Sequence, residues 1–291
     1  MNSQSASELR ARFAEAGYIA DTALITTIVL MQQLERPILI EGEAGVGKTE
    51  VATTMAKIDG CKLIRLQCYE GLDTSAAVYE WNYSRQLLSI KLHESNIKQE
   101  PPQIFDREFL LERPLLQSIM QDDPPILLID EIDRADEAFE AFLLELLSEF
   151  QISIPELGTI KARSFPRVIL TSNGTRELSD ALRRRCLYHY LDYPDREREI
   201  AIVEQRVPEF DHKLAAQVVN FVQALRTQDL VKSPGIAETL DWCAALQGLG
   251  ITELGNNVEI LFQTRGCFLK TRDDLEAINQ EQMATLLRRS A

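Results

Sequence analysis

The distribution of apolar residues predicts strands alternating with helices over much of the chain. Short apolar runs bounded by polar or turn-forming residues predict buried strands. They lie at Pro37–Ile40, Lys62–Leu66, Ile126–Ile129, Arg167–Thr171 and Leu187–Tyr190. Several stretches between them carry apolar residues at helical spacing, so the pattern predicts an α/β fold.

The residues before the first strand predict two helices over Glu8–Leu34, broken near Gly17. In the second helix, three apolar residues at helical spacing should pack under the first strand; they are Leu24, Ile28 and Met31. Tyr18 and Ile19, at the break, either flank an adenine ring or belong to ordinary core packing. The sequence leaves both interpretations open.

A long polar stretch with aromatic residues follows the second strand and forms a predicted insertion over about residues 73–107. Tyr79, Trp81 and Tyr83 alternate with other residues there, which fits a short strand or an exposed loop. A segment of this length that adds little to the core usually carries function or is disordered.

The second half of the chain predicts a hairpin followed by helices. Apolar and polar residues alternate on both sides of a Pro-Glu-Leu-Gly turn, which indicates a hairpin over about residues 151–162. A helix over Glu137–Phe150 precedes it. Later helices are predicted near Asp195–Arg206, Lys213–Leu225 and Ile236–Leu246, with one last amphipathic helix from Thr271 onward.

A glycine-rich stretch directly after the first strand carries the clearest chemistry. It fits the pattern G-x-x-x-x-G-K-[ST] with Gly42, Glu43, Ala44, Gly45, Val46, Gly47, Lys48 and Thr49. Glycines let backbone N–H groups curl around an anion, and the next helix N-terminus adds partial positive charge. With Lys48 on the outer phosphates and the Thr49 hydroxyl on Mg²⁺, the stretch predicts binding of a nucleoside triphosphate.

Two carboxylates and an amide end the strands that follow. Asp130 and Glu131 close the third apolar run, and the C-terminal tip of a buried parallel strand points at the ligand crevice. We therefore expect Asp130 to hold Mg²⁺ through water and Glu131 to orient or deprotonate the attacking water. Asn173, at the tip of the neighbouring strand, either contacts the γ-phosphate or the water, or simply opens an Asn-Gly turn.

Three consecutive arginines, Arg183, Arg184 and Arg185, end a short helix before the last predicted strand. Some of this charge stabilises the helix C-terminus, but three arginines cannot all serve one helix end. One of them is a candidate arginine finger that reaches the nucleotide of a neighbouring subunit.

Composition narrows the possible partners and the compartment. Lys and Arg number 31 against 45 Asp and Glu, a formal charge of −14, so nucleic acid would be repelled over most of the surface. The 5 cysteines include no C-x-x-C pair, which fits thiols in a reducing compartment. No stretch approaches the roughly 20 continuous apolar residues of a membrane span. A cytoplasmic protein is expected.

The order of these motifs resembles an AAA+ ATPase. With the stretch Glu131-Ile132-Asp133-Arg134-Ala135, the hairpin and the insertion, the chain is most similar to the MoxR family, in its CoxD-like branch, over roughly residues 15–250. The resemblance implies a P-loop AAA+ core with a five-stranded parallel sheet over residues 1–193 and a small helical lid with a C-terminal helix over residues 194–291. It also implies ATP and Mg²⁺ as cofactors and a hexamer with nucleotide between subunits.

The resemblance assigns roles to further side chains. Asn173 would be sensor 1, and Glu131 and Asn173 would serve catalysis together with an arginine finger. The finger most often directly precedes the residue that opens the last strand, which points to Arg185, with Arg184 in reserve.

The lid departs from the family pattern at one position. Members often have Ser-Pro-Arg at the start of a lid helix, whereas this chain has Ser233-Pro234-Gly235. The sensor 2 arginine is therefore missing, and whether Lys232 or Arg226 replaces it stays open.

MoxR-type proteins are ATP-driven remodelling chaperones that work with a von Willebrand factor A domain partner to mature a metalloenzyme. In the CoxD-like branch the implied client resembles a molybdenum-containing carbon monoxide dehydrogenase, and the insertion is where we expect client contact. One alternative is a DNA-directed AAA+ motor, motivated by the basic residues Lys161, Arg163 and Arg167 near the hairpin. Another is a scaffold that binds ATP with little turnover, motivated by the missing arginine.

Overall fold

The computed structural model describes residues 6–94, 103–254 and 258–290. Within them the chain forms two compact units. The sheet unit is built mainly from Thr22–Glu41 and Ala52–Tyr190, and the lid unit from Ser7–Asp21, Gly42–Val51 and the residues from Leu191 onward. The domain division after residue 193 stays a prediction, because compactness does not establish that a unit folds alone.

The described part of the chain contains the strands β1 (Ile38–Glu41), β2 (Leu63–Gln67), β3 (Tyr79–Trp81), β4 (Leu110–Glu112), β5 (Ile126–Asp130), β6 (Gln151–Ile154), β7 (Gly158–Lys161), β8 (Arg167–Ser172) and β9 (Leu187–Tyr190). As expected, five of them form one parallel sheet, and its strand order is β2-β5-β8-β1-β9. Two further pairs, β3 with β4 and β6 with β7, are antiparallel.

The helices follow the predicted alternation with the strands of the sheet and fill the lid unit. They are α1 (Ala6–Glu15), α2 (Thr22–Leu34), α3 (Lys48–Asp59), α4 (Thr74–Ala77), α5 (Tyr83–Glu94), α6 (Pro114–Met120), α7 (Glu137–Glu149), α8 (Asp180–Arg185), α9 (Arg196–Arg206), α10 (His212–Arg226), α11 (Ile236–Gly248), α12 (Val258–Thr264), α13 (Arg272–Ala277) and α14 (Gln280–Ser290).

The three central strands of the sheet, β5, β8 and β1, are buried because they are apolar on both faces, whereas the edge strands β2 and β9 expose one face. Every residue of β5 is buried, and the apolar stripe of α2 predicted from Leu24, Ile28 and Met31 packs against β1 and β9. The register pairs Glu41 with Ser172 across β1 and β8, and Ile129 with Leu170 across β5 and β8. The carboxyl ends of these three strands therefore lie at one edge of the sheet, where ligands bind in open α/β folds.

The predicted insertion is more regular than its polar sequence suggested. Tyr79 and Trp81 belong to β3, whereas Tyr83 begins α5. Pairing of β3 with β4 satisfies the backbone, and Trp81 is buried against Phe105 in an edge-to-face contact. Residues 95–102 of the insertion lie outside the described residues.

The lid unit confirms the predicted helices α9, α10 and α11 and corrects the tail. One apolar stripe of α10, predicted as lid core, is buried; it comprises Leu214, Val218, Phe221 and Leu225. The single amphipathic helix predicted from Thr271 is wrong, because the tail forms α13 and α14. The Asn279 side chain accepts hydrogen bonds from the amides of Glu281 and Gln282, which caps and starts a new helix.

Candidate functional site

The phosphate-loop motif Gly42–Thr49 leaves the sheet after β1 and runs into α3. Gly45 and Gly47 have φ angles of 79° and 95°, a region that side chains strongly disfavour. A Cβ on Gly42 would lie 2.2 Å from the carbonyl oxygen of Leu191, so this position requires glycine too. The glycines therefore shape a tight loop whose N–H groups are suited to an anion.

Lys48 is the first residue of α3, and only 7% of its surface is exposed. Its Nζ donates to the carbonyl oxygens of Gly42 at 2.6 Å and Glu43 at 2.7 Å, so the ammonium lies across the loop. Thr49 follows it in the first turn of the same helix. A buried ammonium, a helix N-terminus and a glycine-shaped loop together fit a phosphate group.

Gly235, which stands where the sensor 2 arginine was expected, contacts the phosphate loop within the lid unit. A Cβ on Gly235 would lie 3.0 Å from the Ala44 carbonyl oxygen and 3.0 Å from the Gly45 Cα. The Ile236 amide donates to the Gly45 carbonyl oxygen at 3.1 Å. The start of α11 is therefore packed directly on the loop, an arrangement that the sequence alone did not indicate.

The two candidate substitutes for the missing arginine differ in their contacts. Arg226 is buried and forms a bidentate ion pair with the fully buried Glu199, with both N–O distances at 2.7 Å. Its Nε donates to the Pro234 carbonyl oxygen, also at 2.7 Å. Arg226 therefore holds the lid together, whereas the Lys232 side chain is exposed.

Asp130 ends β5 and is 3% exposed. Its Oδ1 accepts a hydrogen bond from the Thr171 hydroxyl of β8, and its Oδ2 pairs with Arg65 of β2 at 2.5 Å. The Arg65 side chain is 52% exposed. The carboxylate of Asp130, which is predicted to hold Mg²⁺, is therefore positioned by the neighbouring strand β8 and also pairs with an arginine that is partly in solvent.

Glu131 adopts a left-handed backbone conformation, with φ 55° and ψ 49°, directly after the strand. A non-glycine residue in this region is uncommon and is concentrated at functional sites. Its amide donates to the Thr171 hydroxyl at 3.0 Å. Its carboxylate pairs with Arg134 at 3.0 Å, and the Asn173 Nδ2 lies 3.5 Å from its Oε1. The structure thus brings Glu131 and Asn173 together.

The loop that carries Asn173 is held by Asp133, a residue that the sequence analysis did not single out. Asp133 is 3% exposed and accepts hydrogen bonds from the amides of Asn173 and Thr175 and from the Thr175 hydroxyl. Burial raises the pKa of Asp133, but these hydrogen bonds outweigh it, and the pKa lies below its usual value. Its position three residues after Asp130 on a 3₁₀ turn was the available signal.

A second buried carboxylate fixes the rest of this loop. Glu140 of α7 is 1% exposed, pairs with Arg176 and accepts a hydrogen bond from the Ser179 amide at 2.9 Å. Arg176 also donates to the Ala135 carbonyl oxygen at 2.6 Å. The later part of the loop after β8, at Arg176 and Ser179, is therefore anchored to Glu140 of α7.

The three arginines of α8 have different surroundings. Arg183 pairs with Glu41 of β1 at 3.7 Å. Arg36 donates to the carbonyl oxygens of Arg184 and Arg185, which fixes the C-terminus of the helix. Within the residues that the structure describes, the exposed side chains of Arg184 and Arg185 make no hydrogen bond or ion pair. These two are therefore available for contacts with another subunit.

The cysteines, histidines and acidic side chains outside the sites described above are the candidates for a metal cluster or a reactive thiol. Residues 6–94, 103–254 and 258–290 contain no cluster of three or more His, Cys, Asp or Glu side chains that could hold a metal ion. Burial raises the pKa of Cys68, Cys186 and Cys243 to about 12, so these thiols are protonated and inert at neutral pH. No helix in the same residues is both long and apolar enough to cross a bilayer.

Comparison with known proteins gives distant relatives. The gas vesicle ATPase GvpN of Haloferax mediterranei is 27% identical over 200 residues, which cover 66% of this chain but only 56% of that protein. An uncharacterized protein of Staphylococcus aureus (strain NCTC 8325) is 26% identical over 235 residues, 77% of this chain and 83% of that protein.

Among solved structures, the Thermotoga maritima RuvB Holliday junction branch migration motor aligns with 17% identity and a TM-score of 0.46. The alignment covers 89% of this chain and 69% of that one.

A sequence profile matches more than half of the chain, over residues 37–186, and describes an AAA domain of the dynein-related subfamily. The matched region begins just before β1 and its phosphate loop and ends after α8, so it contains the loop, Asp130, Glu131, Asn173 and the arginines of α8. Arg226 and Gly235 lie beyond it. The chain belongs to the AAA domain family, in its dynein-related subfamily.

Proposed function

We propose that this chain is an AAA+ ATPase that binds ATP with Mg²⁺ and hydrolyses it to ADP and phosphate. The observation that carries the proposal is the loop Gly42–Thr49, in which the buried Lys48 ammonium lies over glycines at positive φ. Family membership supports nucleotide binding, and a relative that is named an ATPase supports hydrolysis.

In this proposal different residues bind the phosphates, hold the metal ion and activate the water. Lys48 and the loop amides would bind the phosphates, and Thr49 and Asp130 would hold Mg²⁺, which would neutralise phosphate charge. Glu131 orients the attacking water and accepts its proton, and Asn173 keeps Glu131 or the water in place.

Both acidic residues must exchange a partner before they act. Asp130 is shared with Arg65 and Glu131 with Arg134, and both arginine side chains are more than half exposed. The Glu131 carboxylate is itself 34% exposed, so its ion pair contributes only about 0–1 kcal/mol and is readily exchanged for water. The Asp130 carboxylate is 4% exposed, so loss of Arg65 without a replacement would leave a buried charge, and exchange requires that Mg²⁺ supply the new positive charge. We infer that Glu131 is in a resting arrangement that is close in free energy to the working one.

Phosphate release by purified protein tests the catalytic assignment. Glu131→Gln should lower turnover by about 100-fold or more and leave ATP affinity unchanged, because it removes the base and keeps the shape. Lys48→Ala should lose ATP binding. Glu149→Gln, an exposed residue at the end of α7, is the matched control and should behave as the unmodified chain. Full turnover by Glu131→Gln would refute the assignment.

We further propose that the chain works as a remodelling chaperone of the MoxR type, in a hexameric ring with nucleotide between subunits. Exposed Arg184 and Arg185 support this, since neither is paired within the described chain, whereas Arg183 is engaged by Glu41. The von Willebrand factor A domain partner and a client metalloenzyme, such as a molybdenum-containing carbon monoxide dehydrogenase-like enzyme, rest on the resemblance alone.

Light scattering on Glu131→Gln tests the ring. ATP and Mg²⁺ should shift the mass to roughly six subunits, and Arg185→Ala should abolish hydrolysis in trans while Arg183→Ala should not. A mass that stays monomeric with ATP bound would contradict the ring. Co-purification with a von Willebrand factor A domain protein encoded beside this gene then tests the partner.

A nucleotide-dependent scaffold with little turnover is the second candidate. Gly235 favours it, because the position expected to supply a cation to the γ-phosphate holds backbone against the loop instead. Sustained phosphate release that disappears in Lys48→Ala would exclude it. The structure weakens the case for a DNA motor. Arg163 is paired with Asp122 and Arg167 with Asp59, so of the three basic residues near the hairpin Lys161 is the one without an ion pair in the described residues.

A further inference from the structure

A cleft of about 410 Å³ lies within the sheet unit, next to the β6–β7 hairpin. One wall consists of Leu157 and the consecutive hairpin residues Thr159, Ile160 and Lys161. The function proposed above uses none of these residues.

The cleft is positively charged on a chain with a formal charge of −14. Besides Lys161, its lining includes Arg107 and Arg163 against a single carboxylate, Asp106. Arg163 is paired with Asp122, whereas the Arg107 guanidinium donates to the Met120 sulfur at 3.3 Å, a weak acceptor. The Lys161 ammonium has no ion pair within the described residues. Two cations of the cleft therefore lack a carboxylate partner in that part of the chain.

The hairpin also presents an open backbone edge at this cleft. The Ala162 amide donates to the Phe150 carbonyl oxygen, so residues 150 and 162 form a hydrogen-bonded pair. Hydrogen-bonded and non-hydrogen-bonded pairs alternate in an antiparallel ladder, which makes Lys161 with Gln151 and Thr159 with Ser153 non-hydrogen-bonded pairs. The N–H and C=O groups of Lys161 and Thr159 therefore point away from β6.

The next amide that points away from β6, two residues after Lys161, already has a hydrogen-bond partner. The Arg163 amide, which follows in the same alternation, donates to the Ile119 carbonyl oxygen at 2.8 Å. Within the described residues β7 pairs with β6 only, so the edge at Lys161 and Thr159 has no strand beside it. An extended peptide that adds to a sheet edge uses groups of this kind.

The lining favours a peptide over a nucleic acid. No aromatic side chain is among the described residues that line the cleft, whereas single-stranded nucleic acid is usually held by base stacking on aromatic rings. Met120, Leu157 and Ile160 provide apolar surface beside the cations. Successive side chains of an extended segment point to opposite faces. A segment in which carboxylates and apolar residues alternate therefore suits a lining that offers both cations and apolar surface.

We propose that the open edge of β7 binds an extended acidic segment of a partner protein. The segment adds as a strand to Lys161 and Thr159, places carboxylates on Lys161 and Arg107 and lays an apolar side chain on Met120. Binding is by backbone hydrogen bonds and charge, so it is independent of ATP hydrolysis.

The test uses the full chain and a fluorescent peptide of about eight residues, the length of an ordinary strand, with alternating Glu and Val. Anisotropy should report binding that weakens with salt. Lys161→Glu should weaken it about tenfold, the effect of one lost charge-assisted hydrogen bond. Lys270→Glu, the same charge change on an exposed lid residue, should leave affinity unchanged. The Lys48→Ala variant should bind as well, which separates this site from the ATPase.

Two further probes separate edge pairing from simple charge attraction. The same peptide, N-methylated at alternate residues, keeps its charge but cannot pair with the edge, and it should lose binding. A peptide of alternating Lys and Val should not bind. Equal binding of the methylated peptide, no effect of Lys161→Glu, or absence of binding would each overturn the proposal. Binding of an oligothymidylate in place of the acidic peptide would overturn it in favour of nucleic acid.

Discussion

Two pairs of carboxylates in the sheet unit have different kinds of partner. Asp133 and Glu140 accept hydrogen bonds from backbone amides, which cannot move without the chain. Asp130 and Glu131 each pair with an arginine, Arg65 and Arg134, whose side chains are 52% and 56% exposed, and Asp130 also accepts a hydrogen bond from the Thr171 hydroxyl. The comparison teaches that burial alone does not separate structural from chemical carboxylates, since Asp130 is as buried as Asp133. The two kinds of carboxylate differ in whether a partner side chain reaches the solvent and can move away.

The largest effect should come from Glu140→Ala. Removal of this buried carboxylate leaves Arg176 and the Ser179 amide without their acceptor and should lower the free energy of unfolding by about 3 kcal/mol. Denaturant titration measures it. Glu149→Ala, at an exposed position of the same helix, should change stability by less than about 0.5 kcal/mol. Equal stability of the two variants would show that Glu140 does not anchor the loop.

Asp133→Asn should cost about 1.5 kcal/mol at neutral pH, because the amide replaces an acceptor of three hydrogen bonds. The folded pKa of Asp133 lies below the unfolded one, so its stabilisation is complete above the ordinary carboxyl pKa and is lost as pH falls through the folded pKa. Unfolding measured against pH should therefore show the variant and the unmodified chain converging in acid. A difference in unfolding free energy between the two proteins that grows in acid would contradict this prediction.

Arg134→Ala should act on rate and not on stability. It frees the Glu131 carboxylate from an exposed ion pair and should raise turnover by about threefold, within the range such a pair contributes. Phosphate release measures it. Arg272→Ala removes a more exposed pair with Glu276 in the lid and should leave turnover unchanged. A loss of turnover would show instead that Arg134 belongs to the catalytic arrangement.

Arg65→Ala should have the smallest effect. It removes the cation that competes for Asp130, so half-maximal turnover should need about twofold less Mg²⁺. Arg113→Ala, which removes the exposed pair with Glu80, is the matched control. A higher Mg²⁺ requirement would mean that Arg65 positions Asp130 instead of competing for it.

Much of the sheet could be predicted, because a buried parallel strand is apolar on both faces and stands out against polar loops. The run Ile126–Asp130 shows this, and its carboxyl end could be placed at the ligand edge by topology alone. The phosphate loop was equally readable, since Gly45 and Gly47 are required by backbone conformation. Local physics determines both features.

What escaped prediction depends on contacts between distant segments. Asp133 looks like any turn carboxylate until the loop after β8 closes over it. In the sequence, Gly235 was notable only because the family pattern has arginine there. Its packing on Gly45, about 190 residues away in sequence, has no local signature. The tail was divided by a single capping asparagine, Asn279, within a stretch whose apolar spacing continues.

The contact of Gly235 also limits how this sequence can evolve. Any side chain at this position starts with a Cβ 3.0 Å from backbone atoms of Ala44 and Gly45, which have no freedom to turn aside. A change to arginine would therefore require the loop and the start of α11 to give way by a few tenths of an ångström before the new side chain could be accommodated. The glycine is thus favoured by the backbone contact itself and is not freely interchangeable with the arginine of the family pattern.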